Sequence, residues 1–302
     1  MLRLPFGFRA WLHNYLHGRT QRIRLKSTLS HQKQVGSGVP QGSLLGPYLF
    51  NAYCFDLNPI HHDTFIMQYA DDICEVIEVK QQLQPSYISN LADDELNNIR
   101  QWGILNGLTF NESKSFASVF PKKNSDVTEL TLPIRKVSEF KLLGVIWSSN
   151  LLWQSHFRVL ESRCARRLYF LRLLRPVLNH DELWKVYETL IESVLLYCSP
   201  LFGSLDFKSM NIIDRLWRRA RRIICPKLCN CKRYDNSIHE KRLKMIRGLF
   251  SSAQSPTHPL HSIVQPMQND RVLVPYSHTN RRRNCFTVFS TIVHNDLLRG
   301  IV

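Results

Sequence analysis

Two apolar, β-prone runs meet at a pair of adjacent carboxylates in this sequence. Residues 65–77 read FIMQYADDICEVI, with Asp71 and Asp72 between the two runs. The pattern predicts two strands joined by a turn that carries both acids. A hairpin holds its tip rigidly, and Mg²⁺ prefers oxygen ligands, commonly one or two carboxylates completed by waters and substrate phosphates. Because adjacent acids at a turn are also common as solvated turn formers, the pair predicts only part of a metal site.

A loop rich in glycine and proline precedes this stretch, with the sequence SGVPQGS at residues 37–43. Three of its residues favour tight turns and a close approach of backbone to a ligand: Gly38, Pro40 and Gly42. Ser43 is placed to cap an apolar helix that we expect from Leu44 to Leu57. A structural turn explains the glycines, the proline and the serine, but it gives no role to Gln41.

Together, the Gln41 loop and the Tyr69-Ala70-Asp71-Asp72 tip resemble two sequence blocks of reverse transcriptases, of the kind found in non-LTR (LINE-type) retrotransposons. The resemblance extends from about Arg19 to Asn295. It implies an α+β fold: an incomplete right-hand polymerase palm, in which antiparallel β-hairpins pack with helices, followed by a helical thumb. The corresponding domains are a partial palm over 1–147, a basic helical thumb over 148–248 and a loosely ordered C-terminal extension over 249–302.

The resemblance also implies roles for individual residues. In the complete enzyme, Asp71 and Asp72 would hold two Mg²⁺ ions while a primer 3′ hydroxyl attacks the α-phosphate of a deoxynucleotide. The nucleotide and template pocket would be lined by Gly38, Pro40, Gln41, Gly42 and Tyr69. Lys114 would lie near the leaving pyrophosphate, and Leu143 with Gly144 would form part of the primer grip. For Lys114, the alternative is an ordinary solvated lysine after a turn. For Leu143 and Gly144, the alternative is a core strand with a bulge, because Phe140–Ile146 reads as one short buried strand containing a glycine.

The sequence is strongly basic, with a net charge of +16 and a pI of about 9.7. This balance favours a polyanionic partner, and the resemblance makes that partner an RNA template and a DNA primer. Two predicted helices, 153–174 and 206–225, combine an apolar stripe with arginines on the remaining faces. The arginines expected to contact phosphates are Arg163, Arg166, Arg167, Arg215, Arg218, Arg219 and Arg222. A more neutral helix over 181–197 is the expected packing partner, and purely solvated basic faces are the alternative.

Each predicted helix has its own apolar stripe. The expected core residues are Phe157, Leu160, Cys164, Leu168 and Leu171 in the first, Leu183, Tyr187, Leu190 and Val194 in the second, and Ile213, Leu216, Ala220 and Ile223 in the third.

Four further elements are expected earlier in the chain. The pattern predicts a helix over 5–17, a half-buried hairpin over 19–35 that turns at 26–29, and a strand over 115–120. A helix over 90–106 would have Asp93, Asp94 and Glu95 in its first turn, where acids complement the helix dipole.

One absence weighs against activity of this chain alone. No Asp or Glu occurs before Asp56, whereas two-metal catalysis needs carboxylates that bridge ions about 3.5–4 Å apart. In reverse transcriptases one of these comes from an upstream strand, and neither Asp56 nor Asp63 is a plausible substitute. We therefore expect no polymerisation by these residues alone. A non-catalytic nucleic-acid-binding remnant and a maturase-like reverse transcriptase are the alternatives.

The sequence contains no apolar run near the roughly 20 residues that span a bilayer, and no signal peptide. We therefore expect an intracellular protein with reduced thiols and no membrane partner; the resemblance implies nucleus or cytoplasm. Cys225, Cys229, Cys231 and His239 have a spacing that matches none of the paired zinc motifs, so zinc is not the favoured interpretation. Oligomeric state is not predicted.

Overall fold

The computed structural model describes residues 4–79, 84–121, 130–202, 205, 207–226 and 238–261. These residues form an α+β structure of helices and two-stranded antiparallel hairpins, as expected. The chain divides into two compact units. The first contains the described residues up to Ala117 and the segment ending at Arg135, and the second contains residues 118–121 and the described residues from Lys136 onward. The predicted domain boundaries at 147 and 248 stay predictions.

Among its described residues, the first unit contains three helices and three hairpin ladders. Its helices are α1 (Phe6–Leu16), α2 (Gly46–Tyr53) and α3 (Pro85–Leu105), and its strands are β1 (Thr20–Gln21), β2 (Arg24–Leu25), β3 (Thr28–Leu29), β4 (Lys33–Gln34), β5 (Thr64–Tyr69) and β6 (Asp72–Ile77). The pairs are β1 with β4, β2 with β3, and β5 with β6.

The described part of the second unit contains one hairpin and a helical bundle. Its elements are β7 (Glu139–Leu142), β8 (Val145–Ser148), α4 (Gln154–Leu174), α5 (His180–Tyr187), α6 (Ser193–Leu196), α7 (Phe207–Ile224) and α8 (Ile238–Ala253). A π-helical turn, Glu188–Glu192, joins α5 to α6, and a 3₁₀ turn, Ser199–Phe202, follows α6.

The predicted hairpin over 19–35 forms, but its expected half-burial is wrong. Every residue of its four short strands is exposed. Its turn is also tighter than predicted, because Leu25 pairs directly with Thr28 and Lys26 has a φ of +56°. The predicted helix over 5–17 is confirmed as α1, which buries none of its residues.

Three elements differ from the predictions in their extent. Helix α3 begins at Pro85, where proline at the first helical position presets φ, so the predicted first-turn position of Asp93, Asp94 and Glu95 is wrong. Helix α2 begins at Gly46 and ends at Tyr53, shorter at both ends than predicted. The strand expected over 115–120 reduces to one bridge, in which the Ala117 amide donates to the Arg135 carbonyl at 2.9 Å.

The apolar stripes predicted on α4 and α7 are confirmed. The buried residues are Phe157, Leu160, Cys164, Leu168 and Leu171 on α4, and Ile213, Leu216, Ala220 and Ile223 on α7. Helices α4 and α7 pack against each other more extensively than either packs against α5, so α5 is not the principal partner that its neutral charge suggested. Each large apolar side chain buried in this way contributes roughly 1.5–3 kcal/mol.

The stripe predicted on the second helix is correct only in its first half. Leu183 and Tyr187 are buried, but the next two positions are Ile191 and Leu195 rather than the expected Leu190 and Val194. In the π-helical turn, the Ser193 amide donates to the Glu188 carbonyl, five residues earlier, instead of to a carbonyl four residues earlier. This turn therefore contains one extra residue, and the buried face after it is shifted by one position.

The described cysteines are free thiols: Cys54, Cys74, Cys164, Cys198 and Cys225. Cys229 and Cys231 lie outside the described residues, as does the predicted extension beyond residue 261. Among the residues that the structure describes, no helix has the length and apolarity that crossing a bilayer requires.

Candidate active-site hairpin

The Asp71–Asp72 pair lies at the tip of the β5–β6 hairpin. Tyr69 pairs with Asp72 across a two-residue turn formed by Ala70 and Asp71. The predicted turn thus holds only Asp71, while Asp72 is the first residue of β6. Ala70 has a φ of +53°, and its carbonyl accepts a hydrogen bond at 3.2 Å from the Gln68 side-chain amide.

Both carboxylates are available as ligands. Asp71 and Asp72 are exposed, and their carboxylates form no hydrogen bond or ion pair within the described ranges. Two carboxylates can supply part of an octahedral oxygen set, with waters and phosphates as the remainder. Within the described part of the chain, no three His, Cys, Asp or Glu side chains cluster as a metal site. The tip therefore fits a portion of a magnesium site.

A buried glutamate supports the base of the hairpin, and the sequence analysis missed it. Glu95 of α3 is fully buried. Its carboxylate accepts hydrogen bonds from the backbone amides of His61 at 2.8 Å and Ile60 at 3.2 Å, and lies 3.0 Å from the His61 ring Nδ1. A signal was present in the sequence, because Glu95 precedes the buried Ile99 by four residues and so lies on the apolar face of the helix.

The Gln41 loop is a compact turn before α2. Gly38 and Gly42 have φ values of +77° and +80°, which favour glycine over residues with a Cβ. Arg19 donates to the Gly38 carbonyl, and Ser43 Oγ donates to the Pro40 carbonyl at 2.8 Å. The loop conformation is thus stabilised by one hydrogen bond within the loop and one from Arg19.

Two further residues complete this loop. Ser43 Oγ accepts the Gly46 amide at 3.0 Å, so the serine does bond to the start of α2 although the helix begins later than predicted. Gly46 is buried, and a Cβ there would lie 3.0 Å from both the Pro40 carbonyl and Ser43 Oγ. The sequence analysis did not identify this close approach. Gln41 remains exposed and makes no hydrogen bond within the described residues.

The loop and the hairpin tip belong to the same unit, but no hydrogen bond between described residues joins them. The bonds of the loop lead to Arg19, Ser43 and Gly46, while those of the tip stay within the hairpin. A shared pocket lined by Gly38, Pro40, Gln41, Gly42 and Tyr69 therefore stays a prediction. Tyr69 is 67% exposed, so its ring is free to contact a ligand.

Lys114 follows a turn closed by hydrogen bonds to Asn111, and its side chain is exposed.

Leu143 and Gly144 form the turn between β7 and β8, with φ values of +46° and +85°. The expected single strand over 140–146 is therefore wrong, because two positive φ values in succession reverse the chain. Tyr197 donates its hydroxyl to the Leu143 carbonyl at 2.8 Å and supports the turn.

The predicted phosphate-binding arginines fall into two groups. Arg167 donates to the Leu190 carbonyl and Arg215 pairs with Glu161, so both are engaged within the second unit. Arg218 donates to the Asp214 carbonyl of its own helix at 3.3 Å. The others make no hydrogen bond or ion pair within the described ranges: Arg163, which is half-buried, and the exposed Arg166, Arg219 and Arg222.

Residues 3–147 match the family model of the reverse transcriptase (RNA-dependent DNA polymerase). The chain carries a reverse transcriptase domain. The matched range includes the loop and the Asp71–Asp72 hairpin, and the match confirms the resemblance to reverse transcriptases. Reverse transcriptases use divalent metal ions, which agrees with two exposed carboxylates at the hairpin tip.

Relatives of the reverse transcriptase domain come from mobile elements of flies, which confirms the non-LTR type. The chain is 23% identical over 231 residues to the Drosophila melanogaster "Probable RNA-directed DNA polymerase from transposon X-element", covering 73% of this chain and 25% of that protein. It is 26% identical over 248 residues to the corresponding protein of transposon BS from the same species, covering 74% and 26%.

A third relative is the "RNA-directed DNA polymerase from mobile element jockey" of Drosophila funebris, 24% identical over 232 residues, with coverage of 70% and 24%. The chain thus spans about a quarter of the length of these relatives. No solved structure matches it.

Proposed function

We propose that this chain is the later palm and the thumb of an RNA-directed DNA polymerase of a non-LTR retrotransposon. Its partners would be an RNA template, a DNA primer and deoxynucleotides. The observation that carries the proposal is the position of the Asp71 and Asp72 carboxylates, exposed and without a partner among the described residues, at the tip of a tight hairpin inside the reverse transcriptase match. Relatives named as RNA-directed DNA polymerases support the same activity.

In the proposed reaction, the protein positions the reactants and forms no covalent bond with them. Asp71 would contact both metal ions and Asp72 would orient one, while Gln41 and Gly42 line the nucleotide and template pocket. The metal ions, when bound, lower the pKa of the primer hydroxyl and neutralise charge on the transferred phosphate. Lys114 would offset charge on the departing pyrophosphate, and the β7–β8 turn at Leu143 and Gly144 would steady the primer end.

These 302 residues alone are proposed to be inactive, because Asp71 and Asp72 need a bridging carboxylate that no residue before Asp56 can supply. The test is a primer-extension assay with Mg²⁺ on the purified chain, using an annealed RNA template and DNA primer. We expect no templated product, and templated synthesis would refute this part of the proposal.

A non-catalytic nucleic-acid-binding protein is the second candidate, favoured by arginines on α4 and α7 that have no partner in the part of the chain that the structure describes. Adding a separate polypeptide that supplies an aspartate-bearing upstream strand separates the two. Rescue of primer extension that Asp71→Asn abolishes would support the enzyme. Nucleic-acid binding without rescue would support the second candidate. The maturase-like alternative is less favoured, since the relatives are polymerases of transposons and mobile elements.

A further inference from the structure

Helix α1 carries a column of three stacked aromatic rings on its surface. Phe8, Trp11 and Tyr15 lie three and four residues apart, so they share one face of the helix. The ring centroids of Phe8 and Trp11 are 5.8 Å apart with their planes at 16°. Those of Trp11 and Tyr15 are 5.5 Å apart with their planes at 9°. The three rings are therefore ordered in advance in one near-parallel arrangement.

This α1 column does not serve the core of the first unit. Helix α1 buries none of its residues, and the side chains of Phe8 and Trp11 are 46% and 48% exposed. Apolar side chains that stay in water contribute little to folding, because hydrophobic stabilisation depends on the area removed from water. Large apolar side chains grouped on an exposed face commonly mark a binding surface.

The charge around the α1 column favours an anionic partner. Residues 1–55 contain no Asp or Glu. Arg9 is exposed on α1, and Arg19 joins the helix to the hairpin that follows, because its Nε donates to the Leu16 carbonyl at 2.8 Å. The strands of that hairpin are exposed throughout and include Arg24 and Lys33. Aromatic rings bordered by positive charge without acids are the combination by which proteins bind single-stranded nucleic acid.

We propose that the α1 column binds single-stranded nucleic acid. Because the three rings already contact one another, bases would extend the column by stacking at its ends, on Phe8 and Tyr15. The phosphates would contact Arg9 and the basic residues of the adjoining hairpin. Such stacking tolerates any sequence, since every base has a π-face. The surface includes no residue of the Gln41 loop or of the Asp71–Asp72 tip, so the inference goes beyond the proposed active site.

Fluorescence anisotropy of labelled oligonucleotides measures this binding with the full chain. EDTA is present and deoxynucleotides are omitted, so the result does not depend on the proposed polymerase reaction. The probes are a single-stranded DNA oligonucleotide, an abasic strand of the same length and a DNA duplex. The abasic strand keeps the phosphates but has no bases to stack, and the bases of the duplex are already stacked on one another.

The decisive variant is the triple substitution Phe8→Leu, Trp11→Leu and Tyr15→Leu. It keeps apolar side chains with a good helix propensity on a face that buries nothing, so we expect the fold to persist. The affinity for the single-stranded oligonucleotide should fall by at least about fivefold, whereas the affinities for the abasic strand and the duplex should stay nearly unchanged. If the triple variant fails to fold, Phe8→Leu alone should show the same selective loss.

Two further variants separate stacking from charge. Arg9→Gln should reduce the log–log salt slope of single-strand binding by about 0.7, because it removes one phosphate contact. The triple variant should leave that slope unchanged. Tyr87→Leu, which replaces an exposed aromatic residue of α3, is the matched control and should bind all three probes as the natural protein does.

Equal affinities of the natural protein and the leucine variants for the single-stranded oligonucleotide would overturn the proposal. An equal loss of affinity for the abasic strand would also overturn it, because the rings would then not contact bases. A change of oligomeric state in the triple variant, without loss of oligonucleotide affinity, would show that the α1 column binds a second copy of the chain instead.

Discussion

At Ala70 the backbone takes a left-handed conformation, with a φ of +53°, in the turn that places Asp71. A Cβ in this region is unfavourable by roughly 1–2 kcal/mol, whereas glycine adopts it readily at some entropic cost. We expect Ala70→Gly to raise the free energy of unfolding of the first unit by up to about 1 kcal/mol. Urea denaturation measures this change.

The matched control for Ala70 is Ala92→Gly, in the interior of α3. There the same substitution should lower stability by about 1 kcal/mol, because glycine is unfavourable in a helix. If Ala70→Gly is as destabilising as Ala92→Gly, the left-handed turn does not form as described.

His156 is a buried residue whose protonation should weaken the second unit. It is 3% exposed, and its Nδ1 accepts the Ile146 amide at 3.3 Å, which links α4 to β8. Burial, and then the positive charge of Arg163, lower the pKa of His156 to about 4. Because the pKa is lowered in the folded protein, the contribution of His156 is present above its ordinary pKa of 6.5 and is lost as pH falls through about 4.

We expect the linked loss for His156 to reach at most about 3 kcal/mol by pH 4. The variant His156→Asn retains an acceptor for Ile146 but does not titrate, so it should lose less stability between about pH 7 and pH 4 in urea denaturation. His180→Asn, at an exposed site in the same unit, should follow the natural protein. Equal acid sensitivity in His156→Asn and the natural protein would contradict this assignment.

At the scale of elements, the π-helical turn decides which side of the helix following α5 is buried. Ile191 is 1% exposed, whereas Leu190 is only partly buried and its carbonyl receives the Arg167 guanidinium. We expect Ile191→Ala to reduce the free energy of unfolding by about 2–4 kcal/mol and Leu190→Ala by about 1 kcal/mol. An equal or larger loss in Leu190→Ala than in Ile191→Ala, measured by denaturant unfolding, would contradict the described burial.

At the scale of the whole molecule, we expect the net charge of +16 to favour binding to nucleic acid and to make that binding depend on salt concentration. Arg219 and Arg222 are exposed on α7, without an intramolecular partner among the described residues. If both contact phosphates, Arg219→Gln with Arg222→Gln should reduce the log–log salt slope of binding to an RNA–DNA duplex by about 1.4–1.8. Fluorescence anisotropy across a salt series provides the measurement.

Charge alone could mimic this effect, so the comparison needs a control variant that loses positive charge at another exposed position. Lys244→Gln removes a positive charge at an exposed position of α8 and should leave the slope nearly unchanged. Equal slopes for the natural protein and the α7 double variant would contradict a phosphate contact by these arginines.

Several elements could be predicted because the patterns that indicate them involve only residues close together in the sequence. The two apolar, β-prone runs that meet at Asp71 and Asp72 predicted the β5–β6 hairpin, and the helical period of apolar residues predicted the buried faces of α4 and α7. The Gln41 loop and the Tyr69–Asp72 block predicted the family, because both combine a particular residue order with a definite spacing. Such patterns can be interpreted without knowing which distant residues are in contact.

The sequence by itself determined the family, the basic character and the position of the two carboxylates in the chain. The tertiary structure alone decided that Glu95 is buried and accepts hydrogen bonds from the Ile60 and His61 amides, and that Arg167 is engaged by a carbonyl instead of remaining free. It also decided the one-residue shift at Ile191. The physical reason is that burial and hydrogen bonding between residues far apart in sequence depend on packing, and packing outweighs the small local preferences that a pattern records.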